Sequence, residues 1–379
     1  VFAVCACVLV YINFFLANKS SWSSLTFDIG FREVDKNQQI AGLGTSVSSA
    51  AVSHLQTNRT FANTSHSTGS FSLSPDIIIK VPSVYPNEEY FADDRILSQL
   101  KFVPKSVERG LKEGILKHKK ILVYGGLSGW GVKRGQDTFV EQKCTVSHCE
   151  LSDSRSELAE ADVVLFQGTS VSYEKRSPHQ KWLLYLLESP YHTPGLGPLA
   201  DLVNWTATYR HDSTIVAPYE KFVPFNASIL TKPQNRNYAD GKTKKVAWFV
   251  SNCGARNGRR QYANELAKYI EIDIYGGCGK LKCPRFEANK CFEMLNRDYK
   301  FYLSFENSNC RDYITEKFFI NGLKHDVIPI VMGAAPEDYE RAAPPHSFIH
   351  VDDFESPKDL ADYLHKLDKN DDLYNKYFQ

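Results

Sequence analysis

The sequence lacks net charge, internal repeats and an acidic pair suited to a metal ion. Its 45 Lys and Arg residues are balanced by 44 Asp and Glu residues, which leaves a formal charge of +1. General nucleic-acid binders carry a strong basic excess, so we expect no nucleic-acid partner. The pairs Asp352-Asp353 and Asp371-Asp372 have the pattern of surface acids beside helices. With 379 residues, the chain is long enough for about two or three domains.

The first seventeen residues carry no charge and one strongly polar residue, Asn13. A bilayer-spanning helix needs about 20 apolar residues, so this run is slightly short. No small-residue cleavage motif follows it, which favours an uncleaved signal-anchor over a cleaved signal peptide. We therefore predict a partial transmembrane anchor over residues 1–18. Residues 19–85 are rich in Ser, Thr, Asn and Gln and favour a flexible stem.

Sequons for N-glycosylation indicate that the bulk of the chain lies in a secretory lumen. Five N-x-S/T sequons occur, and the first, at Asn18, is too close to the predicted anchor to be a good acceptor. We predict glycans at the other four, Asn58, Asn63, Asn204 and Asn226.

Seven cysteines follow the anchor, and an oxidising lumen favours disulfides between them. Because seven is an odd number, one thiol is free or pairs outside the chain. Cys253 is expected to form a disulfide. Zinc is the alternative for Cys278 and Cys283, but no pair of His residues lies nearby.

Short apolar runs alternate with helical segments from about residue 86 onward, which predicts βαβ units and parallel sheets. The polar segment 231–245 contains Pro233, Gly241 and several Lys residues, and it is typical of a linker between two α/β domains. Strands are predicted at 120–124, 161–167, 181–187, 246–250, 271–275, 301–305, 327–332 and 348–351. Helices are predicted at 261–269, 311–323 and 357–367.

The segment 301–323 reads FYLSFENSNCRDYITEKFFINGL and has the pattern of a nucleotide site. A strand ends at Phe305, and a helix is predicted to open near Asp312, a good N-cap residue. Tyr313, Glu316 and Lys317 would then share one face of that helix. A helix N-terminus with a Lys beside it suits a phosphate, and Asn307 precedes it. The alternative is an ordinary capped helix with a surface Glu–Lys pair.

A second segment, FVSNCGARNGR at 249–259, joins a strand to a glycine-rich loop that permits close backbone approach. Arg259 opens the next helix, and its planar fork suits a diphosphate. Arg256 and Arg260 are rival cations. On composition alone a structural turn is the stronger reading of this loop.

A third candidate segment is LESPYHTPGL at 187–196, in which Glu188 lies at the carboxyl end of a predicted strand. A carboxylate in that position is suited to act as a general base, and His192 is the second candidate for this role. The structural alternative is that Glu188 is only a hydrogen-bonded turn residue. In the segment YRHDS, Arg210 and Asp212 are expected to shape the cleft, and the pattern favours a structural salt bridge over a catalytic role.

Together the strings FxLxFENS, DYxTEK, SNCGARNxR and ESPxHxPG resemble the α1,3-fucosyltransferase family, glycosyltransferase family 10, from about residue 120 to 379. The resemblance implies a GT-B fold, with two Rossmann-like domains facing a cleft. It implies an acceptor-side domain at 86–230, a GDP-fucose-binding domain at 246–379, and a further C-terminal tail. It implies Glu188 as base and donor contacts at Arg259, Asn307, Tyr313, Glu316 and Lys317.

The implied reaction is an inverting transfer of fucose from GDP-β-L-fucose to a GlcNAc hydroxyl, with Arg259 and Lys317 stabilising the departing GDP. No metal is expected to be required, and Mn²⁺ is expected at most to stimulate. The implied location is the Golgi membrane, as a single-pass type II protein with N-glycoprotein acceptors.

Within the family, the strings most resemble the invertebrate enzymes that modify the innermost GlcNAc of N-glycans. The alternatives are Lewis-type transfer to an outer GlcNAc, a GT-B transferase that uses GDP-mannose, and a glycan-binding pseudoenzyme. The pseudoenzyme hypothesis predicts that Glu188, Arg259 or Lys317 is replaced by another residue, and all three residues are present.

Overall fold

The computed structural model describes residues 95–379, apart from 169–175, 225–228, 230 and 232–233. The predicted anchor, the stem and the sequons at Asn58, Asn63 and Asn226 therefore lie outside the described residues. Within the described part of the chain, no helix is long and apolar enough to cross a membrane.

The first half of the described chain forms a six-stranded sheet in which every pair of neighbouring strands is parallel. The strand order is β2-β1-β3-β4-β5-β6. The strands are β1 Lys119–Val123, β2 Cys149–Ser152, β3 Val163–Gln167, β4 Lys181–Leu186, β5 Trp205–Thr208 and β6 Ile215–Val216.

The second half forms a five-stranded parallel sheet with the order β11-β10-β9-β7-β8. Its strands are β7 Lys244–Phe249, β8 Ile272–Tyr275, β9 Tyr299–Phe305, β10 Ile328–Met332 and β11 Ile349–His350. All seven residues of the central strand β9 are buried, which explains why five of them are aromatic or apolar, the exceptions being Lys300 and Ser304. The prediction of two parallel α/β sheets is confirmed.

Helices connect these strands and cover the sheets. The α-helices are α1 Ile96–Lys101, α2 Lys105–Lys112, α3 Asp137–Glu141, α4 Arg259–Leu266, α5 Ala288–Asp298, α6 Pro336–Ala342, α7 Pro357–Asp368 and α8 Asp371–Asn375. A π-helix spans Lys317–Gly322. Short 3₁₀ turns lie at Arg155–Glu160, Pro190–His192, Gly197–Leu199, Arg285–Glu287, Leu323–His325, Val351–Asp353 and Lys376–Phe378.

Three strands were not predicted, and each is short or only partly buried. β2 and β5 have four residues each and β6 has two, so none carries a long apolar run. The edge strand β6 is instead held by α1, because the amide of Gln99 both donates to the Val216 carbonyl at 2.6 Å and accepts from its N–H at 3.0 Å. Long-range contacts of this kind leave no periodic pattern in the sequence.

The order of the second sheet places its topological switch point between β7 and β9. After β7 the chain first forms β8 on one side of β7 and then β9 on the other. The loops that leave the carboxyl ends of β7 and β9 therefore flank one crevice, which is where open α/β sheets bind ligands. These loops contain the two predicted donor-side segments.

Candidate active site

Glu188 follows the carboxyl end of β4 and is held by its own turn. The Ser189 N–H donates to the Glu188 carboxylate at 2.8 Å. The next residues form the 3₁₀ turn Pro190–His192, in which the His192 N–H donates to the Ser189 carbonyl at 3.1 Å. The Tyr219 hydroxyl donates to the Leu187 carbonyl at 2.8 Å, which fixes the strand exit just before Glu188.

Two side chains from the second half meet the same carboxylate. The Tyr313 hydroxyl donates to Glu188 at 2.8 Å, and the Asn307 amide nitrogen donates to it at 3.3 Å. Burial raises the pKa of Tyr313, which keeps its hydroxyl protonated and able to donate. The predicted acceptor-side carboxylate and two predicted donor-side residues thus form one hydrogen-bonded group.

Buried contacts on both sides of Glu188 join the two halves. The hydroxyls of Ser189 and Ser308 lie 2.9 Å apart and are buried. The ring of Tyr313 packs on that of Tyr209, with 4.9 Å between centroids. Because Ser189, Ser308, Tyr209 and Tyr313 are buried, these contacts constrain the geometry around Glu188.

Lys317 is surrounded by oxygen atoms of the second half. Its ammonium donates to the Thr315 hydroxyl at 2.9 Å and to Glu316 at 3.0 Å, and it lies 3.1 Å from a Glu306 oxygen. These two carboxylates raise the pKa of Lys317 against the opposing effect of burial. For Glu316 burial acts to raise the pKa, but attraction to Lys317 and hydrogen bonds lower it overall.

Glu306 is a member of this group that the sequence analysis did not single out. Its side chain is fully buried, and its carboxylate accepts from both the N–H and the hydroxyl of Thr315 at 2.9 Å. Burial raises the pKa of Glu306 despite the attraction of Lys317. The sequence signal for this residue is a carboxylate directly after the buried strand β9. A buried Glu normally has a charged or hydrogen-bonding partner, so this position predicts a paired carboxylate.

The predicted helix over 311–323 is wrong at its start, because the helix begins at Lys317. Asp312 has a left-handed backbone with φ of 62°, and it is not the N-cap. The Thr315 N–H just before the helix donates to Glu306, so this donor is not free to bind an anion. Tyr313 and Lys317 therefore do not share a helix face, although both reach the same crevice.

Arg259 begins α4, as predicted, but its side chain is only 3% exposed. Its guanidinium donates to the Phe305 carbonyl at 2.8 Å and to the Asn252 carbonyl at 2.8 Å. Burial lowers the pKa of Arg259. In the described structure Arg259 thus braces the loop after β7 against the end of β9, next to the crevice.

The rival cation Arg256 lies on the same loop and is exposed. Its guanidinium carbon lies 5.6 Å from the ring centre of Tyr191, on the turn that follows Glu188. The loop is also tied to the β9 exit, because the Asn257 amide donates to the Glu306 carbonyl at 3.0 Å and to Asn309 at 2.9 Å.

The other acceptor-side residues are more peripheral. Arg210 forms a two-bond ion pair with Asp212, at 2.8 and 2.5 Å, which confirms the predicted salt bridge. The His192 ring meets the edge of the Tyr191 ring, with centroids 5.1 Å apart. The buried atoms that lack a hydrogen-bond partner in the described residues include Nε2 of His192, Oδ1 of Asn307, Nε of Arg259 and the Tyr209 hydroxyl.

The cysteines behave largely as predicted. Cys253 forms a disulfide with Cys278, and Cys283 forms one with Cys291. The zinc alternative for Cys278 and Cys283 is therefore wrong, because both sulfurs are bonded to other sulfurs. Across the described ranges, no group of three or more His, Cys, Asp or Glu side chains is arranged to hold a metal ion. The sequon residue Asn204 lies exposed just before β5.

Comparison with known families accounts for both halves of the chain. A model described as "Fucosyltransferase, N-terminal" matches residues 116–220, and one described as "Glycosyltransferase family 10 (fucosyltransferase) C-term" matches residues 239–379. These matches cover the first sheet and the second sheet respectively. The chain belongs to glycosyltransferase family 10, the fucosyltransferases.

Three relatives illustrate the range of similarity. Glycoprotein 3-alpha-L-fucosyltransferase A of Drosophila melanogaster is 55% identical over 79% of this chain and 59% of its own length. Alpha-(1,3)-fucosyltransferase fut-1 of Caenorhabditis elegans is 37% identical over 66% of this chain and 57% of its own. Human 4-galactosyl-N-acetylglucosaminide 3-alpha-L-fucosyltransferase FUT6 is 39% identical over 61% of this chain and 64% of its own.

The chain thus spans about six tenths of the length of these relatives, 57–64%. Among solved structures, an α1,3-fucosyltransferase with GDP-fucose matches with a TM-score of 0.48 and 18% identity. That match covers 69% of this chain and 81% of the solved one.

Proposed function

We propose that this chain catalyses the inverting transfer of L-fucose from GDP-β-L-fucose, in α1,3 linkage, to GlcNAc. Membership of the fucosyltransferase family supports this reaction class. The observation that carries the proposal is Glu188, which lies at a strand end in the cleft and is hydrogen-bonded by Tyr313 and Asn307 from the opposite half. The proposed architecture is GT-B, with acceptor and donor bound on opposite sides of that cleft.

In the proposed mechanism, Glu188 accepts the proton of the GlcNAc 3-hydroxyl. The hydroxyl oxygen attacks the anomeric carbon of the β-linked fucose, and the bond from that carbon to the diphosphate oxygen breaks. GDP leaves with the bonding electrons, and inversion produces an α-fucoside. A base within hydrogen-bond reach of the reacting hydroxyl contributes typically about 10²–10⁴-fold to the rate.

The charge that develops on GDP requires cations. Lys317 is one of the predicted cations, and Glu306 and Glu316 hold its ammonium at the crevice. Arg259 shapes the loop on which the diphosphate lies, and Arg256 on the same loop supplies an exposed guanidinium. Such preorganised charges stabilise the transition state without reorganisation when the bond breaks.

The proposed acceptor is the innermost GlcNAc of protein N-glycans. The 55% identity to a Drosophila protein named glycoprotein 3-alpha-L-fucosyltransferase A supports this assignment. The alternative is a Lewis-type acceptor with an outer GlcNAc, supported by the human relative whose name specifies a 4-galactosyl-N-acetylglucosaminide at 39% identity. The proposed location is the Golgi membrane, with the catalytic part in the lumen.

A transfer assay tests the function directly. The full chain is given GDP-fucose and two acceptors, an N-glycan core glycopeptide and N-acetyllactosamine, with GDP-mannose as the rival donor. We expect fucose on the innermost GlcNAc, unchanged in EDTA. Fucose on the outer GlcNAc alone contradicts the core assignment, and transfer from GDP-mannose instead contradicts the donor.

The variant Glu188→Gln tests the base. We expect its turnover to fall by at least about 100-fold, because the Gln amide has the same shape as the Glu carboxylate but cannot accept the proton. The matched control is Glu150→Gln, which changes a half-exposed carboxylate on β2. Retention of full turnover by Glu188→Gln rules out this role.

A further inference from the structure

We propose that the phenol ring of Tyr191 is the platform on which a sugar ring of the acceptor glycan stacks. The inference rests on the proposed function and deepens it, because it assigns a binding surface beside the base. Tyr191 lies three positions after Glu188, on the 3₁₀ turn Pro190–His192. Tyr191 is 51% exposed, although Ser189 and Thr193 on either side of the turn are buried.

The turn is rigid, which is what a recognition surface requires. The Thr193 hydroxyl donates to the Ser189 carbonyl at 2.9 Å, which closes the turn from its far side. Ser189 is fully buried, and its hydroxyl lies 2.9 Å from that of Ser308 in the other half. A rigid aromatic ring binds a ligand with little loss of conformational entropy.

The ring faces the cleft rather than the outer surface. The guanidinium of Arg256 approaches it from the opposite half, 5.6 Å from the ring centre. Arg256 has no ion pair within the described ranges and is exposed, so an entering ligand displaces it at low cost. The ring is therefore reachable from the space between the halves.

Polar atoms accompany this apolar face. Nε2 of His192 and Oδ1 of Asn307 are buried, and neither has a partner in the part of the chain that the structure describes. A pyranose has a face of C–H groups and a rim of hydroxyls, so it satisfies an aromatic ring and unpaired polar atoms together. Ligand sites of this type combine apolar walls with a few placed polar groups.

The competing role is a latch, in which Tyr191 only holds Arg256 and thereby the donor loop. The two roles predict different kinetic effects. A platform affects binding of the acceptor, whereas a latch affects binding of GDP-fucose.

The test compares Tyr191→Ala with Tyr191→Phe, which keeps the ring, in the full chain. We expect Tyr191→Ala to raise the KM for the glycan acceptor by about ten-fold, while Tyr191→Phe stays within about two-fold. The KM for GDP-fucose is expected to stay within about two-fold in both. Tyr269→Ala is the matched control, because that tyrosine is also exposed but contacts Glu265 and His365 on the outer surface.

An unchanged acceptor KM in Tyr191→Ala overturns the platform, and so does a rise in the KM for GDP-fucose of equal size. Calorimetric titration of the core glycopeptide and of N-acetyllactosamine in the presence of GDP separates this result from failure of the proposed function. If the unsubstituted chain binds a glycan without transferring fucose, the proposed reaction fails. Tyr191 is then judged by whether Tyr191→Ala loses that binding.

Discussion

At the scale of single residues, Glu306 shows how a buried carboxylate organises the donor side. It satisfies the Thr315 N–H and hydroxyl and shares Lys317 with Glu316. The cluster of Glu306, Glu316 and Lys317 thus combines two carboxyl groups with one ammonium group. Because Glu306 is fully buried while the Glu316 side chain is 28% exposed, loss of the two carboxylates has unequal consequences.

We predict that Glu306→Gln lowers the free energy of unfolding by about 3 kcal/mol, because it breaks a buried ion pair. The same change is expected to raise the KM for GDP-fucose, since Lys317 loses one of its two anionic partners. Urea denaturation and steady-state kinetics measure the two effects.

Glu316→Gln is the control for stability, since a partly exposed ion pair contributes about 0–1 kcal/mol. If the two variants are equally stable, the buried position of Glu306 has no special importance. An unchanged KM for GDP-fucose in Glu306→Gln would show that Glu306 does not position Lys317.

At the scale of elements, the loop after β7 depends on constraints at both of its ends. Gly258 precedes α4 with φ of 79°, a conformation that favours glycine. At the other end, Cys253 is joined to Cys278 in the loop after β8. The crosslink therefore restrains the segment that carries Arg256 and Arg259.

We predict that replacing Cys253 and Cys278 together by Ser destabilises the fold by about 3 kcal/mol. The disulfide restricts the unfolded chain, and without it the unfolded state gains conformational entropy worth about that much for a loop of this size. The KM for GDP-fucose is expected to rise, while the KM for the acceptor stays the same. Chemical denaturation and separate titration of both substrates measure these changes.

The second disulfide is the matched control. Cys283 and Cys291 are 8 positions apart, compared with 25 for the first pair, and they stabilise the start of α5 rather than the loop. Their removal is expected to lower stability without changing the KM for GDP-fucose. Equal effects of both pairs on that KM would contradict a local role for Cys253 and Cys278.

At the scale of the whole molecule, Asp312 joins the two halves. Its carboxylate accepts from the His211 N–H at 3.1 Å and from Arg341 at 2.6 Å, and a His211 ring nitrogen lies 3.0 Å away. The neighbouring carboxylate of Asp338 accepts from the Asp312 N–H and from Arg341. Burial acts to raise the pKa of Asp312, but His211 and Arg341 lower it to about 2.

This lowered pKa gives a defined pH dependence. The Asp312 carboxylate is charged in both the folded and unfolded states above pH of about 5, and its contribution to stability is then complete. As the pH falls towards 2, the unfolded state binds a proton first and the contribution is lost. We predict that the stability difference between the parent and Asp312→Asn shrinks by about 2 kcal/mol between pH 5 and pH 2.

Denaturation curves at a series of pH values test this. Glu340→Gln serves as control, because it removes an exposed carboxylate from α6, the helix that carries the Asp312 neighbours Asp338 and Arg341. A pH-independent difference for Asp312→Asn would show that the carboxylate is not ionised preferentially in the folded state.

The local sequence pattern was sufficient to predict most of the strands and several of the site residues. Apolar runs of four to seven residues located most strands, because each buried strand needs a continuous apolar segment. The three unpredicted strands are short and depend on neighbours distant in the chain. The proposed site residues Glu188, Asn307 and Tyr313 were also identified from sequence strings, and the structure brings all three together.

The sequence by itself determined two parallel α/β sheets, the family and the segments that line the crevice. Only the tertiary structure decided which groups meet, because Tyr313 and Glu188 are 125 positions apart and no local periodicity encodes such a contact. It also decided that the helix begins at Lys317 rather than near Asp312. The reason is that Glu306, His211 and Arg341 satisfy the polar groups before it, and capping propensity is weaker than those buried bonds.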